Sequence, residues 1–66
     1  MKLSQAQQEI MRKAKEEDCI IEGPQKISGQ WKYVQHASLE SLRKKGLLYY
    51  NGEAVRYYPT NFAFLQ

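Results

Sequence analysis

The clearest structural signal in the chain is the point at which a predicted helix has to stop. Leu39 and Leu42 are three residues apart and so lie on one helical face. Gly46 stands where a left-handed residue commonly ends a helix, and Leu47 can supply the apolar contact of a Schellman cap. Three cations, which favour a helix C-terminus, fill the preceding turn: Arg43, Lys44 and Lys45. The pattern predicts a helix over residues 35–45 that ends abruptly.

A capping signal opens a second predicted helix near the start of the chain. Ser4 and Gln7 form the S-x-x-Q pattern of a capping box, and the residues behind them are good helix formers. We therefore expect a helix over residues 4–17. Its apolar stripe is thin, so it should cover one side of the core. The stripe consists of Leu3, Ile10, Met11 and Ala14.

Two short segments between these helices are typical of strands. Residues 19–22 are apolar and partly β-branched, and Gly23-Pro24 is expected to end them sharply. In residues 30–34, Trp31 and Tyr33 alternate with polar residues, as in a half-buried strand. We expect the two to pair as a hairpin with Trp31 as a core anchor. A short helix between residues 25 and 33 stays open as the alternative, although glycine and aromatic residues argue against it.

The C-terminal third contains Asn51-Gly52 between two strand-like runs, which is a strong hairpin signal. A two-residue loop there would pair Tyr50 with Glu53 and Leu48 with Val55. Leu48, Val55 and Tyr57 would then face the core, and the opposite face would carry Tyr49, Arg56 and Tyr58. Pro59 should end the sheet. The apolar tail is expected to fold back onto the core through Phe62, Phe64 and Leu65.

Composition excludes several other kinds of protein. A chain of 66 residues has room for one domain, and one cysteine with one histidine can form neither an intrachain disulfide nor a structural zinc site. No third group orients Cys19 and His36 as a nucleophilic pair, and the four glycines stand singly, so we expect neither catalysis nor a cofactor. The longest apolar run, residues 47–50, is far too short to cross a membrane, and no secretory segment opens the sequence. We expect a cytoplasmic protein.

Charge is concentrated in the middle of the chain. The net charge is +3, with a pI near 9.1. Residues 23–46 hold five basic residues and one acidic residue, whereas residues 1–22 hold four basic and five acidic residues. A cationic helix followed by a hairpin with an outward arginine is the kind of surface that neutralises phosphates.

The segment from residue 34 to residue 60 resembles the recognition helix and wing of winged-helix DNA-binding domains. Ser38-Leu39 matches the opening of that helix, and Lys44-Lys45-Gly46-Leu47-Leu48 matches its close. Residues 57–60 match the return of the wing. The resemblance covers about 27 of the 66 residues. The short helix that normally precedes the recognition helix is missing, so the resemblance implies a reduced α+β fold in the order α-β-β-α-β-β.

The resemblance implies binding of double-stranded DNA, with the helix in the major groove and the wing near the backbone. This would make the protein a transcriptional regulator or accessory factor of phage or mobile-element type. The residues expected to reach base edges are Gln35, His36 and Ser41. Those expected to reach phosphates, with the wing tip, are Lys32, Arg43, Lys44, Lys45, Asn51, Gly52 and Arg56.

An alternative is a protein-interaction or inhibitor module on the same fold. This alternative is supported by the predicted outward row of Tyr49, Arg56 and Tyr58, because tyrosine and arginine dominate interface hot spots. A homodimer is compatible with both functions, because a thin core gains from burying more surface. Stacking of bases on the hairpin tyrosines is a further option, but aromatics are common in strands and we expect them to be structural. These tyrosines are Tyr49, Tyr50, Tyr57 and Tyr58.

Overall fold

Two helices and two antiparallel hairpins alternate along the chain in the computed structural model, which describes residues 2–65. The elements are α1 (Gln5–Glu17), β1 (Gly23–Ile27), β2 (Gln30–Val34), α2 (His36–Lys44), β3 (Leu48–Asn51), β4 (Arg56–Pro59) and a 3₁₀ helix (Asn61–Leu65). β1 pairs with β2 and β3 with β4, as two separate sheets. The predicted α+β class is confirmed. None of the helices within residues 2–65 has the length and apolar character needed to cross a membrane.

The cap predicted for α1 is confirmed. The Ser4 hydroxyl accepts a hydrogen bond from the Gln7 backbone at 3.2 Å, and the Gln7 side chain accepts one from the Ser4 backbone at 3.1 Å. These reciprocal bonds satisfy two backbone donors that a helix otherwise leaves open. The helix buries Ile10, Met11 and Ala14, as its apolar stripe predicts.

The predicted stop of α2 is also confirmed. Gly46 has φ of 81°, and the Leu47 backbone N–H donates to the Leu42 carbonyl at 3.1 Å. The Gly46 N–H donates to the Arg43 carbonyl at 3.0 Å, which completes a Schellman motif. The chain therefore passes from α2 into β3 almost without a loop.

The first hairpin does not begin where the sequence indicated. The expected strand over residues 19–22 is wrong: within it only Ile20 pairs, as an isolated bridge to Tyr57. Gly23 and Pro24 begin β1 instead of ending a strand. The turn is Ser28-Gly29, whose φ values of 53° and 80° are both positive, as in the type I′ turn that suits the twist of a two-residue hairpin. The alternative of a short helix in this region is also excluded.

The second hairpin has a longer loop than Asn51-Gly52 predicted. Asn51 pairs with Arg56 and Tyr50 with Tyr57, so the expected pairing of Tyr50 with Glu53 is wrong. The reason is local, because the Asn51 side-chain oxygen accepts hydrogen bonds from the backbones of residues 53 and 54, at 2.9 and 3.3 Å. This Asx-type turn leaves residues 52–55 unpaired. Val55 is therefore 65% exposed and not in the core.

The register shift is even, so the two faces of the hairpin remain as predicted. Leu48 and Tyr57 are buried, and the rings of Tyr49 and Tyr58 stack on the other face with centroids 5.5 Å apart. The prediction of shared faces therefore survives the wrong loop.

The core is built from every element. Among residues 2–65 the buried side chains are Ile10, Met11, Ala14, Ile20, Ile27, Val34, Leu39, Leu42, Leu47, Leu48, Tyr57 and Ala63. Trp31 is not a core anchor: it is 74% exposed, because β2 turns Val34 inward and the alternation then turns Trp31 outward. The tail reaches the core only through Ala63, and the expected burial of Phe62, Phe64 and Leu65 is wrong.

Candidate functional site

The one acidic residue of α2 is held by two neighbours. Arg43 donates to the carboxylate of Glu40 from Nε and Nη2 at 2.9–3.1 Å, and the buried Tyr57 hydroxyl donates to Glu40 Oε2 at 2.5 Å. The hydrogen bonds from Arg43 and then Tyr57 lower the pKa of Glu40 to about 2. Burial, and then the bond to Glu40, raise the pKa of Tyr57 to about 12. Arg43, expected to contact phosphate, is thus engaged in an ion pair.

Ser41, expected at base edges, is hydrogen-bonded to a residue of α1 and to Lys45. The Gln7 side chain donates to the Ser41 hydroxyl at 3.3 Å, and Lys45 Nζ donates to the same oxygen at 3.4 Å. Both Ser41 and Lys45 are half-buried. Ser41 precedes the buried Leu42 in α2, and the Gln7 side chain of α1 reaches its hydroxyl.

Lys32 also faces α1. Its ammonium forms an ion pair with Glu9, and this hydrogen bond is the main cause of a lowered pKa at the Glu9 carboxyl. Lys32 lies on the inner face of the first hairpin, in phase with Val34. The positive charge of Lys32, an expected phosphate contact, is therefore compensated by the carboxylate of Glu9 on α1.

Three of the expected residues are exposed on α2 or at its start. Gln35 is the N-cap, His36 is the first helical residue, and Lys44 is the last. His36 Nδ1 lies 4.0 Å from a carboxylate oxygen of Glu22. The histidine also borders a shallow groove of about 240 Å³ together with Ile21 and other apolar residues.

The remaining expected contacts belong to the second hairpin. Asn51 and Gly52 are exposed at its tip, although the Asn51 side-chain oxygen is occupied by the turn. Arg56 is exposed and its Nη1 lies 3.8 Å from Cys19 Sγ, on the hairpin face opposite Tyr57. The structure therefore leaves Gln35, His36 and Lys44 exposed along α2 and its N-cap, and places Arg56 on the hairpin face opposite Tyr57.

The outer face of the first hairpin carries two aromatic residues, of which Trp31 was expected in the core. Trp31 and Tyr33 are 74% and 66% exposed, and Lys26 is paired directly with Trp31 across the strands. The alternation of side chains along the two strands could have predicted this exposure. It places the aliphatic residues Ile27 and Val34 on one face and the aromatic residues on the other. Within residues 2–65 no three side chains of His, Cys, Asp or Glu cluster as a metal site.

Comparison of the chain with protein-family models, with curated proteins and with solved structures finds no match.

Proposed function

We propose that this chain binds double-stranded DNA as a winged-helix-like regulator or accessory protein, with the exposed side of α2 as the reading element. The observation that carries the proposal is the placement of Glu40. Its carboxylate is the only negative group on α2, and it is bonded to Arg43 and Tyr57. A negative charge open to solvent on this helix would repel phosphates, and this arrangement compensates it.

The dimensions of α2 suit a major groove. An α-helix with its side chains is about 10–12 Å across, and the major groove is about 12 Å wide. Ala37 and Lys44 are seven residues apart, which is two helical turns, and both are exposed. The small Ala37 permits close approach to the groove, and Lys44 supplies a phosphate contact at the far end.

Base-edge contacts are assigned to the start of the helix. Gln35 and His36 are exposed there, and both side chains can donate and accept hydrogen bonds. Recognition helices commonly read bases with their N-terminal residues. Ser41, which lies against α1, is left out of this assignment.

The second hairpin supplies the wing. Because the Gly46 cap sends the chain straight into β3, this strand starts at the end of α2 that carries Lys44. The loop of residues 52–55 lies near the start of α2, where Val55 and His36 border the same groove. Asn51 and Gly52 at this tip are exposed and available to the DNA backbone. Contacts of this kind fix orientation and carry little sequence information.

The experiment is a titration of the protein into a labelled duplex at 50 and 200 mM salt. We expect binding that weakens steeply as salt increases, because counterions are released from the neutralised phosphates. Absence of binding at 50 mM salt would overturn the proposal.

A matched pair of variants separates the site from general charge. Lys44→Ala and Lys13→Ala remove the same charge, but Lys13 lies on α1 in an ion pair with Glu17. Lys44→Ala should weaken binding and reduce the magnitude of the salt slope by about 1, and Lys13→Ala should leave the slope near that of the unmodified protein. Equal effects would refute the assignment to α2.

A second candidate function rests on the outer face of the second hairpin. The stacked rings of Tyr49 and Tyr58, with Arg56 on the same face, are the residue types that anchor protein interfaces. Affinity capture from a nuclease-treated lysate tests it. A partner retained by the unmodified chain and lost with Tyr49→Ala would favour a protein-interaction module.

A further inference from the structure

The outer face of the first hairpin presents two flat aromatic rings to solvent. Trp31 and Tyr33 alternate along β2, so their side chains leave the same face about 6.6 Å apart along the strand. They are 74% and 66% exposed, among the most exposed large side chains in the described structure. Pro24, paired with Tyr33, and Lys26, paired with Trp31, complete this face. We call these four residues the aromatic face.

A small protein ordinarily places tryptophan where it loses contact with water, because burying it is strongly favourable. Here the strand could have buried the aromatic residues only by exposing Ile27 and Val34, which are 3% and 2% exposed. The two faces of the hairpin are therefore chemically distinct. One carries aliphatic residues for the core, and the other carries planar rings whose exposed surfaces contribute little to the core.

The charged residues of the first hairpin are all positive. Residues 23–34 contain two lysines and no acidic residue. Lys32 is directed inward to Glu9, which leaves Lys26 as the charged member of the outer face. A cation beside exposed aromatic rings is complementary to a polyanion that also offers planar groups. Such a partner is a single-stranded nucleic acid, whose bases stack on aromatic side chains while its phosphates attract cations.

We propose that the aromatic face is a second nucleic-acid site, which binds unpaired bases of a single strand. Bases stack on Trp31 and Tyr33, and Lys26 contacts the adjacent phosphate. The site lies on the first hairpin and uses none of the residues assigned to duplex binding, so it does not rest on that proposal. A duplex cannot use it in the same way, because its bases are stacked on each other and only their edges are open.

Trp31 is the only tryptophan in the chain, so its fluorescence reports directly on this site. The probe is a ten-residue oligothymidylate, which does not pair with itself, titrated at 50 mM salt. We expect quenching of Trp31 fluorescence, with an affinity that falls as salt is raised. Dextran sulfate, a polyanion without bases, serves as the control and should leave the fluorescence largely unchanged. Quenching by both polyanions alike, or by neither, would overturn the proposal.

Variants then test the stacking itself, with the oligonucleotide labelled and its anisotropy measured. Trp31→Leu and Tyr33→Leu should each weaken binding by about 5- to 100-fold, because leucine keeps an apolar side chain but cannot stack. Tyr49→Leu, an equally conservative change at an exposed tyrosine of the other hairpin, should have no effect. Unchanged affinity in Trp31→Leu would refute the site.

The same variants distinguish this proposal from the one on α2. Lys44→Ala should weaken duplex binding and leave oligothymidylate binding unchanged. Trp31→Leu should weaken oligothymidylate binding and leave duplex binding unchanged. Each variant is checked by circular dichroism, and because Trp31 and Tyr33 are exposed, their replacement should leave the fold intact. If Lys44→Ala abolishes binding of both probes equally, the single strand binds at α2 and the aromatic face is not a site.

Discussion

The Tyr57 hydroxyl donates a hydrogen bond to Glu40 at 2.5 Å, which joins the middle of β4 to the middle of α2 across 17 residues of sequence. Arg43 holds the same carboxylate from the next turn of α2. Because Tyr57 also pairs with Ile20 through its backbone, one residue connects the second hairpin, α2 and the segment after α1. This contact ties the second hairpin to the helix that we propose reads DNA.

Removal of this contact should destabilise the domain. Tyr57→Phe keeps the buried ring and deletes the hydroxyl, so we expect the free energy of unfolding to fall by about 1 kcal/mol, as for a typical hydrogen bond. Urea denaturation at pH 7 measures it. Tyr50→Phe is the matched control, because Tyr50 is the neighbouring ring and is about half exposed. A loss in the control equal to that in Tyr57→Phe would contradict the role of the bond.

Stability should fall in acid because of Glu40. Its pKa in the folded protein is about 2, against an ordinary value of 4.5, because Arg43 and then Tyr57 bond the ionised form. The contribution is therefore present above pH 4.5 and is lost as pH falls from about 4.5 through 2. Urea unfolding measured from pH 7 to pH 2 should show a shallower decline for Glu40→Gln than for the unmodified chain. Parallel profiles would show that Glu40 is not a source of the decline.

The left-handed turn at Gly46 predicts a backbone effect. An added Cβ there would meet no atom within 4 Å, so Gly46→Ala has no steric clash and its cost comes from φ of 81° alone. We expect a loss of about 1 kcal/mol in the free energy of unfolding. Gly52→Ala is the control, since Gly52 does not have a positive φ, and it should change stability by less than about 0.5 kcal/mol. Similar losses in thermal or urea unfolding would argue against the Schellman turn.

Val55 is an unfavourable residue for its backbone conformation. Its φ is 55°, a left-handed value that β-branched residues rarely adopt, and its side chain is 65% exposed. Val55→Asn should therefore stabilise the domain by about 1 kcal/mol, because asparagine tolerates this conformation. Ala54→Asn introduces the same side chain in the same loop and should be close to neutral. A destabilised Val55→Asn variant in urea unfolding would indicate that the valine side chain makes a needed contact.

Sequence preference in DNA binding should depend on the start of α2. Gln35→Ala and His36→Ala are expected to change which sequences bind best, because these side chains are assigned to base edges. Lys44→Ala should weaken binding to all sequences alike. Selection from a random duplex library with each variant measures the preference. If Lys44→Ala shifts the preferred sequence as much as His36→Ala does, the assignment of roles is wrong.

The elements that depend on local signals were predictable from the sequence. The capping box at Ser4 and the Schellman turn at Gly46 are each made by residues a few positions apart, and both form as expected. Which residues share a face of the second hairpin was predictable too. Side chains alternate with a period of two, so a register that shifts by an even number of residues keeps them on the same face. The loop itself was not, since the Asn51 side chain bonds the backbone after it and so competes with the two-residue turn.

The sequence alone determined where the two helices begin and end, which hairpin residues share a face, and where the positive charge is concentrated, because each of these depends on neighbours along the chain. Only the tertiary structure decided which charges stay free. Whether Lys32 meets Glu9 and whether Glu40 meets Tyr57 depend on which surfaces the core brings together. Residues distant in sequence become partners only when the burial of a few aliphatic side chains fixes how the helices and hairpins pack, and no local pattern encodes that choice.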